Sequence, residues 1–178
     1  MEPRVEIAEP LDLPAVLSLL NACGLPEAGL ACSPGTLILV ARTDGELVGC
    51  AALELYGQHA FLRSVAVAAA QRGRGLGDRL TEAALDLACR LRVVEVHLLT
   101  EGAEGFFARH GFEPVDRSQV PVAVTGSVEF TSCCCSSATS MVKHMEVHRA
   151  RRRLIVPALS LHDLAPASHH DLKSCACG

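Results

Sequence analysis

The segment QRGRGLG, residues 71–77, constrains the fold more than any other feature of the sequence. It lies between an apolar, strand-like run, AFLRSVAVAAA, and a run whose leucines and alanines recur at helical spacing. Glycines at a strand-to-helix junction let a ligand approach the backbone, and the first amide groups of a helix are unpaired. The helix dipole and the side chains of Arg72 and Arg74 add positive charge. The junction is therefore predicted to bind an anion such as a phosphate, and the alternative is a flexible basic turn.

The other elements predict a mixed sheet of the α/β (α+β) class. RVEIAEP reads as a first strand, and Asp12 followed by Leu13 and Pro14 predicts a helix over about 13–22. TLILVAR and LVGCAALEL flank a hairpin turn, AFLRSVAV continues the meander, and a helix begins at Leu76. VVEVHLLT predicts a buried, parallel strand, which is followed by a short helix that Gly111 ends, by the strand FEPV and by the last strand in ATSMVKHM. GLPEAGLACSPG is either a loop or a loose helix.

Composition excludes several classes of protein. A net charge of −4 argues against nucleic acid as a partner. No apolar run approaches the ~20 residues of a membrane span, and Met1 is followed by charges rather than by a signal-like segment, so a cytoplasmic protein is expected. Nine cysteines, an odd number that includes three in a row, indicate reduced thiols rather than a disulfide scaffold.

Residues 146–178 lose apolar periodicity and are predicted to form a disordered tail after a single domain over 1–145.

The glycine segment resembles a known phosphate-binding pattern. Arg72-Gly73-Arg74-Gly75-Leu76-Gly77 matches the [Gln/Arg]-x-x-Gly-x-[Gly/Ala] pattern of the GCN5-related N-acetyltransferases (GNAT), and the similarity extends over roughly residues 4–145. ELYGQHAFLRSVAV, EGFFARHGFEPVDR and VEFTSCCCSSATSMVKHM resemble more narrowly the acetyltransferases associated with arsenic-resistance gene clusters. The resemblance implies a mostly antiparallel sheet of six to seven strands flanked by helices and splayed between strands 4 and 5.

The resemblance also implies a co-substrate, acetyl-CoA, and the residues that hold it. The backbone of Val65, Ala66 and Val67 would run beside pantetheine, and Thr100 would line the cleft. The amides of the glycine segment would hold the diphosphate, through Arg72, Gly73, Arg74, Gly75, Leu76 and Gly77. Phe107 falls where many relatives carry a tyrosine that protonates the leaving thiolate, and this departure leaves the proton donor open.

Direct acetyl transfer to an amine predicts three catalytic candidates, Glu54, Arg63 and Ser64. An alkylammonium group has a pKa near ~10, so a base must take its proton, and Glu54 at the end of its strand is the candidate, acting through water. Arg63 interrupts an apolar strand, so it either forms a bridge to Glu54 or receives a substrate carboxylate, which would favour an amino acid or an analogue as acceptor. The resemblance implies that a backbone amide near Val65 holds the oxyanion. Tyr56 is either a turn residue or the acid that protonates the thiolate, and water is the alternative acid. The expected partner is a small-molecule amine, and the protein is expected to be a monomer or a homodimer.

Cys133, Cys134 and Cys135 suggest a second chemistry. Adjacent cysteines point in different directions, so no preformed metal site is predicted, and the cluster reads as a loop near the acceptor pocket. Two alternatives to the enzyme stay open. The chain could be an acyl-CoA-binding regulatory or interaction module that has lost turnover, or a thiol-based metalloid binder.

Overall fold

A computed structural model describes residues 3–30, 35–133 and 137–146. Within them seven strands form one sheet in the order β1-β2-β3-β4-β5-β7-β6. The strands are β1 (Arg4–Ile7), β2 (Thr36–Thr43), β3 (Glu46–Tyr56), β4 (His59–Val67), β5 (Glu95–Thr100), β6 (Glu113–Pro114) and β7 (Thr139–His144). All neighbouring strands are antiparallel except β4 and β5, which are parallel. The expected mixed, mostly antiparallel sheet is confirmed, with seven strands.

Four helices accompany the sheet: α1 (Leu13–Ala22), α2 (Leu76–Arg90), α3 (Glu104–Arg109) and α4 (Val122–Thr125). The first of them has the bounds that the sequence predicts. Short 3₁₀ turns precede α1 and α2, and a π-helical turn spans Glu129–Cys133. The segment that could have been a loop or a loose helix contains turns and irregular backbone but no helix over the described residues 24–30.

The two faces of the sheet bury different helices because successive side chains of a strand point to opposite sides. Ala51 and Leu53 of β3 belong to the larger core, which contains the apolar face of α2 and the aromatic residues of and after α3. Cys50 and Ala52 of the same strand pack with Val16 and Leu20 of α1. The apolar positions of α2 that the sequence predicts are buried, namely Leu76, Leu80, Ala83, Ala84 and Leu87.

Candidate active site

The parallel strands β4 and β5 are paired at one end only. Their register runs from His59 opposite Glu95 to Phe61 opposite His97 and includes no further pair, although β4 continues to Val67 and β5 to Thr100. On its other side β5 pairs with β7 along its whole length, from Glu95 to Thr100. The sheet therefore opens into a wedge between β4 and β5, which is the splay expected from the sequence.

A β-bulge in β4 lies at the start of this opening. Cys50 pairs with Ala66 and Ala52 with Arg63, so that two residues of β4, Ser64 and Val65, lie opposite one residue of β3. Ser64 has a φ of 56°, a conformation that L-residues other than Asn and Asp rarely adopt. Its hydroxyl oxygen is buried and makes no hydrogen bond to any described residue. The bulge changes the direction of the backbone where a pantetheine chain would have to run.

The glycine segment leads from the end of β4 into α2. Gly73 and Gly75 have φ values of 75° and 74°, and Gly75 is the N-cap residue of α2, so no side chain caps the first amides of the helix. A Cβ atom added to either glycine would meet nothing within 4 Å. Positive φ explains why glycine occupies both positions, and the open space beside them leaves the amides accessible to an anion.

The two arginines of this segment are exposed and bond locally. The Arg72 Nε donates to the carbonyl oxygen of Val67 at 3.0 Å, and its Nη2 lies 3.4 Å from the Sγ of Cys23. Arg74 Nη1 lies 3.4 Å from Gln71 Oε1. Both guanidinium groups stay near the N-terminus of α2, where they add to its positive potential.

The other predicted cofactor residues fall into two groups. Val65 and Val67 are partly buried in the strand that borders the opening, and Thr100 ends β5 opposite Thr139 of β7. The side chains of Ala66, Leu76 and Phe107 are buried in the cores, so they can serve a cofactor only through their backbone or by supporting the fold. A Cβ atom added to Gly77 would lie at an ordinary van der Waals distance, 3.5 Å, from the ring of Phe106, so packing alone does not require glycine there.

Glu54 and Arg63 form a buried ion pair. The Nη1 atom of Arg63 donates to Glu54 Oε1 at 2.8 Å, and Tyr56 donates its hydroxyl proton to Glu54 Oε2 at 2.7 Å. The Nη2 atom of Arg63 donates to the carbonyl oxygen of Ala28 at 2.8 Å. The guanidinium has no exposed surface, so a substrate carboxylate could reach it only by displacing these partners. The geometry thus favours the bridge over the carboxylate receptor, two roles that the sequence leaves open for Arg63.

A third member of this cluster, Glu129, escaped the sequence analysis. Its Oε2 lies 3.2 Å from Arg63 Nε, and its side chain is 10% exposed, against 1% for Glu54. Burial, opposed by the charge of Arg63 and reinforced by the neighbouring carboxylate of Glu54, raises the pKa of Glu129 to about 7. The only signal in the sequence was an acidic residue between the apolar neighbours Val128 and Phe130. A carboxyl group with this pKa can gain and lose a proton near neutral pH.

Tyr56 is a weak acid in this environment. Burial and the hydrogen bond to Glu54 raise the pKa of Tyr56 to about 12, so the phenol stays protonated at neutral pH. Its proton is donated to Glu54, and the group therefore stabilises that carboxylate.

Of the loop that follows Glu129, the side chains of Cys133, Cys134 and Cys135 lie outside the described residues.

Comparison with known proteins identifies the class of this fold. Residues 34–114 match the family model described as the acetyltransferase (GNAT) domain. This range contains the bulge, the glycine segment and the opening between β4 and β5. These residues are therefore similar to the GNAT acetyltransferase domain, and the fold of the described residues is the GNAT fold.

Individual relatives agree with this class. The amino-acid acetyltransferase of Mycobacterium tuberculosis (strain ATCC 25618 / H37Rv) is 38% identical over 81 residues, which are 45% of this chain and 46% of that protein. The match thus spans less than half the length of that curated relative. The crystal structure of Rv2747 from Mycobacterium tuberculosis, a complex with CoA, is 26% identical with a TM-score of 0.68 and covers 81% of this chain and 100% of its own.

A more distant neighbour shares the fold alone. N-acetylglutamate synthase from Neisseria gonorrhoeae, solved with coenzyme A and N-acetyl-glutamate, has a TM-score of 0.68 at 19% identity. The alignment covers 82% of this chain and 36% of that one.

No helix of the described residues is long and apolar enough to cross a lipid bilayer.

Proposed function

We propose that the chain is an acetyl-CoA-dependent N-acetyltransferase that acts on the amine of a small molecule, an amino acid or an amino-acid analogue, in the cytoplasm. The observation that carries the proposal is the one-sided opening between β4 and β5, with the bulge at its start and an uncapped helix N-terminus at its end. The domain match and the CoA complex of Rv2747 support acetyl-CoA as the donor. The name of the amino-acid acetyltransferase supports the acceptor class.

The donor binds along β4 in this proposal. Amides at the start of α2 and the guanidinium groups of Arg72 and Arg74 hold the diphosphate. The pantetheine chain follows the backbone of Val65, Ala66 and Val67, which has no strand partner on the β5 side. Thr100 closes the opposite wall of the opening. This placement brings the thioester to the bulge at Ser64, beside Arg63 and the buried carboxyl groups.

Chemistry at the bulge needs a proton acceptor and an oxyanion site. The amine nitrogen attacks the thioester carbonyl carbon, a backbone amide near Val65 holds the resulting oxyanion, and the C–S bond then breaks. Glu129 takes the proton from the amine, directly or through water, because its pKa of about 7 places it near the operating pH. Glu54 holds Arg63 and Tyr56 in place. The thiolate takes its proton from water, since Phe107 has no proton to give and the proton of Tyr56 is engaged by Glu54.

The narrower acceptor class follows the resemblance of the sequence to the acetyltransferases of arsenic-resistance gene clusters. We propose that arsono or phosphono analogues of amino acids are accepted. Because the guanidinium of Arg63 is buried and its two Nη atoms donate to Glu54 and to the carbonyl oxygen of Ala28, we expect other groups to recognise the acidic end of the acceptor. The proposal therefore differs from the alternative in which Arg63 itself binds the carboxylate of the acceptor.

The test is a screen of thiol release from acetyl-CoA. The full chain is assayed with amino acids and with their phosphono and arsono analogues, and each product is identified by its mass. Release of one CoA per N-acetylated product supports the proposal. Binding of CoA without turnover by any of these amines would instead indicate the acyl-CoA-binding module, and stoichiometric retention of arsenite without CoA binding would indicate the metalloid binder.

The acetyltransferase domain is proposed to comprise residues 1–145, followed by a dispensable tail over 146–178. The last described strand, β7, ends at His144 and lies between β5 and β6 in the sheet. A chain that ends after residue 147 is expected to melt cooperatively and to bind acetyl-CoA with unchanged affinity in calorimetry. Loss of cooperative melting would show that the tail packs on the domain.

A further inference from the structure

The paired end of β4 and β5 gathers histidines around one carboxylate. Glu95 of β5 lies opposite His59 of β4 and, on its other side, opposite His144 of β7. Residues directly opposite one another in neighbouring strands point to the same face of the sheet, and so do residues two apart in one strand. His97 therefore shares the face of Glu95. The register of three strands thus places three imidazoles around a single glutamate.

The distances within this cluster suit a metal ion. Glu95 Oε2 lies 3.1 Å from His59 Nδ1 and 3.3 Å from His97 Nε2. The three potential ligand atoms of His59, Glu95 and His97 all lie within 4.8 Å of one another. Two ligands of a tetrahedral zinc ion, each bound at 2.0–2.1 Å, lie about 3.4 Å apart. The carboxylate is thus already at ligand spacing from both imidazoles.

The hydrogen bonding of the cluster is incomplete without a ligand. His59 Nδ1 is buried and, although it lies close to Glu95, it makes no hydrogen bond of acceptable geometry to a described residue. His97 is 2% exposed, and the ring nitrogen that faces the cluster, Nε2, lies within hydrogen-bond distance of Glu95 Oε2 at 3.3 Å. A network of hydrogen bonds and ion pairs is the alternative to a metal site. A neutral His97 can donate its Nε2 hydrogen to Glu95 in such a network. The network nevertheless leaves His59 Nδ1 without a hydrogen bond to a described residue, whereas a metal ion would use that atom as a ligand.

We propose that His59, Glu95 and His97 bind a divalent transition-metal ion, with Zn²⁺ as the ion that the donor set fits best. Two imidazole nitrogens and one carboxylate oxygen are borderline donors that zinc accepts, and a hard cation such as Mg²⁺ would prefer oxygen alone. His144 supplies a fourth ligand or yields the position to water, since its Nδ1 lies 3.2 Å from Glu95 Oε1 and its side chain is 73% exposed. No metal site is predicted from the sequence, because His59 lies 36 residues before Glu95 in the chain.

Such an ion would stabilise the fold rather than take part in acetyl transfer. Its ligands come from the first residues of β4 and β5, whereas the glycine segment follows the last residue of β4. A bound ion would hold β4 and β5 together where they are paired and would leave their other ends free to part. The proposal is independent of the proposed enzyme, since it makes no use of acetyl-CoA.

The experiment counts zinc in the full, tag-free chain. Zn²⁺ bound per chain is measured by competition with a chromophoric chelator, and melting temperature is recorded with and without Zn²⁺. The variants are His59→Gln and His97→Gln, and the matched control is His110→Gln. His110 Nε2 also lies beside a carboxylate, that of Asp78 at 3.0 Å, but this pair includes only one histidine. Because nine cysteines could also bind zinc, Co²⁺ spectra identify thiolate ligands by their sulfur-to-metal charge-transfer band.

We expect the wild-type chain and His110→Gln each to bind one more equivalent of Zn²⁺ per chain than His59→Gln and His97→Gln. That equivalent should show no thiolate band in the Co²⁺ spectrum and should raise the melting temperature of the wild type and the control only. Should the buried variant His97→Gln fail to fold, His59→Gln decides the matter, since its side chain is 30% exposed. Equal zinc counts and equal zinc-dependent melting shifts in His59→Gln and the wild type would overturn the proposal, and so would a thiolate band for every bound equivalent.

Discussion

The two ends of strand β4 differ in their strand partners and in their backbone conformation. At its first residues β4 is paired on both sides, by β3 and by β5, and the cross-strand partners bring His59, Glu95 and His97 together. At its last residues only β3 remains as a partner, and a bulge at Ser64 and positive φ values at Gly73 and Gly75 follow. Paired strands hold side chains close enough to bind a cation. Parted strands expose backbone, which suits a long, polar ligand that ends in a diphosphate.

The largest expected effect is at the open end. Gly75→Glu should abolish CoA binding in calorimetry, because its side chain would fill the space beside the first amides of α2 and bring a negative charge to the diphosphate. The matched control is Gly57→Glu in the turn before β4. Gly57 also has positive φ, 66°, and open surroundings, so both variants lose a similar amount of stability and only one should lose CoA. Equal affinity in the two variants would contradict the assignment of the glycine segment.

The second effect separates two carboxyl groups that lie beside the same guanidinium. Glu129→Gln should lower kcat by about a hundredfold and shift the remaining activity to higher pH, where the amine loses its own proton without help. Glu54→Gln should mainly lower the melting temperature, because Glu54 neutralises the fully buried Arg63. The measurement is kcat and KM against pH, together with thermal melting. The reverse outcome would return the role of base to Glu54, the residue that the sequence predicts.

The third effect concerns stability against pH. Because the pKa of Glu129 is raised in the folded chain, from 4.5 to about 7, the folded state binds the proton more tightly than the unfolded state. The favourable contribution is therefore present below pH 4.5 and is lost as pH rises toward 7. Glu129→Gln removes this dependence, so its free energy of unfolding relative to the wild type should increase by roughly 2 kcal/mol between pH 5 and pH 8. Denaturant unfolding at both pH values measures it, and a constant difference would show that the carboxyl group has an ordinary pKa.

The smallest effect concerns one exposed guanidinium. Arg72→Ala removes the hydrogen bond to the carbonyl oxygen of Val67 and one positive charge near the diphosphate, so CoA affinity should fall about three- to tenfold. Arg4→Ala serves as the control, since Arg4 is also exposed and belongs to β1 at the edge of the sheet. Calorimetric Kd values for the two variants decide the point. An equally small change of Kd in both variants would show that Arg72 stabilises the turn but does not contribute to CoA binding.

Local patterns predicted most of the elements. Asp12 and Pro14 mark the start of α1, the leucine spacing from Leu76 marks α2, and the glycines mark the junction between β4 and α2 that we propose as the cofactor site. These features depend on neighbours in the chain, because helix periodicity and positive φ are properties of a few consecutive residues. For the same reason the family resemblance could be recognised from short stretches around them.

Only the tertiary structure decided which distant side chains meet. Glu129 lies 66 residues after Arg63 in the chain, and nothing in its own neighbours shows that it is buried beside that guanidinium with a pKa of about 7. His59 and Glu95 are likewise brought together by the parallel pairing of β4 and β5. The sequence by itself determined most of the strands and helices and the glycine junction between β4 and α2, since their causes are local. The acid-base cluster and the histidine cluster depend on strand register and burial, which come from contacts between segments far apart in the chain.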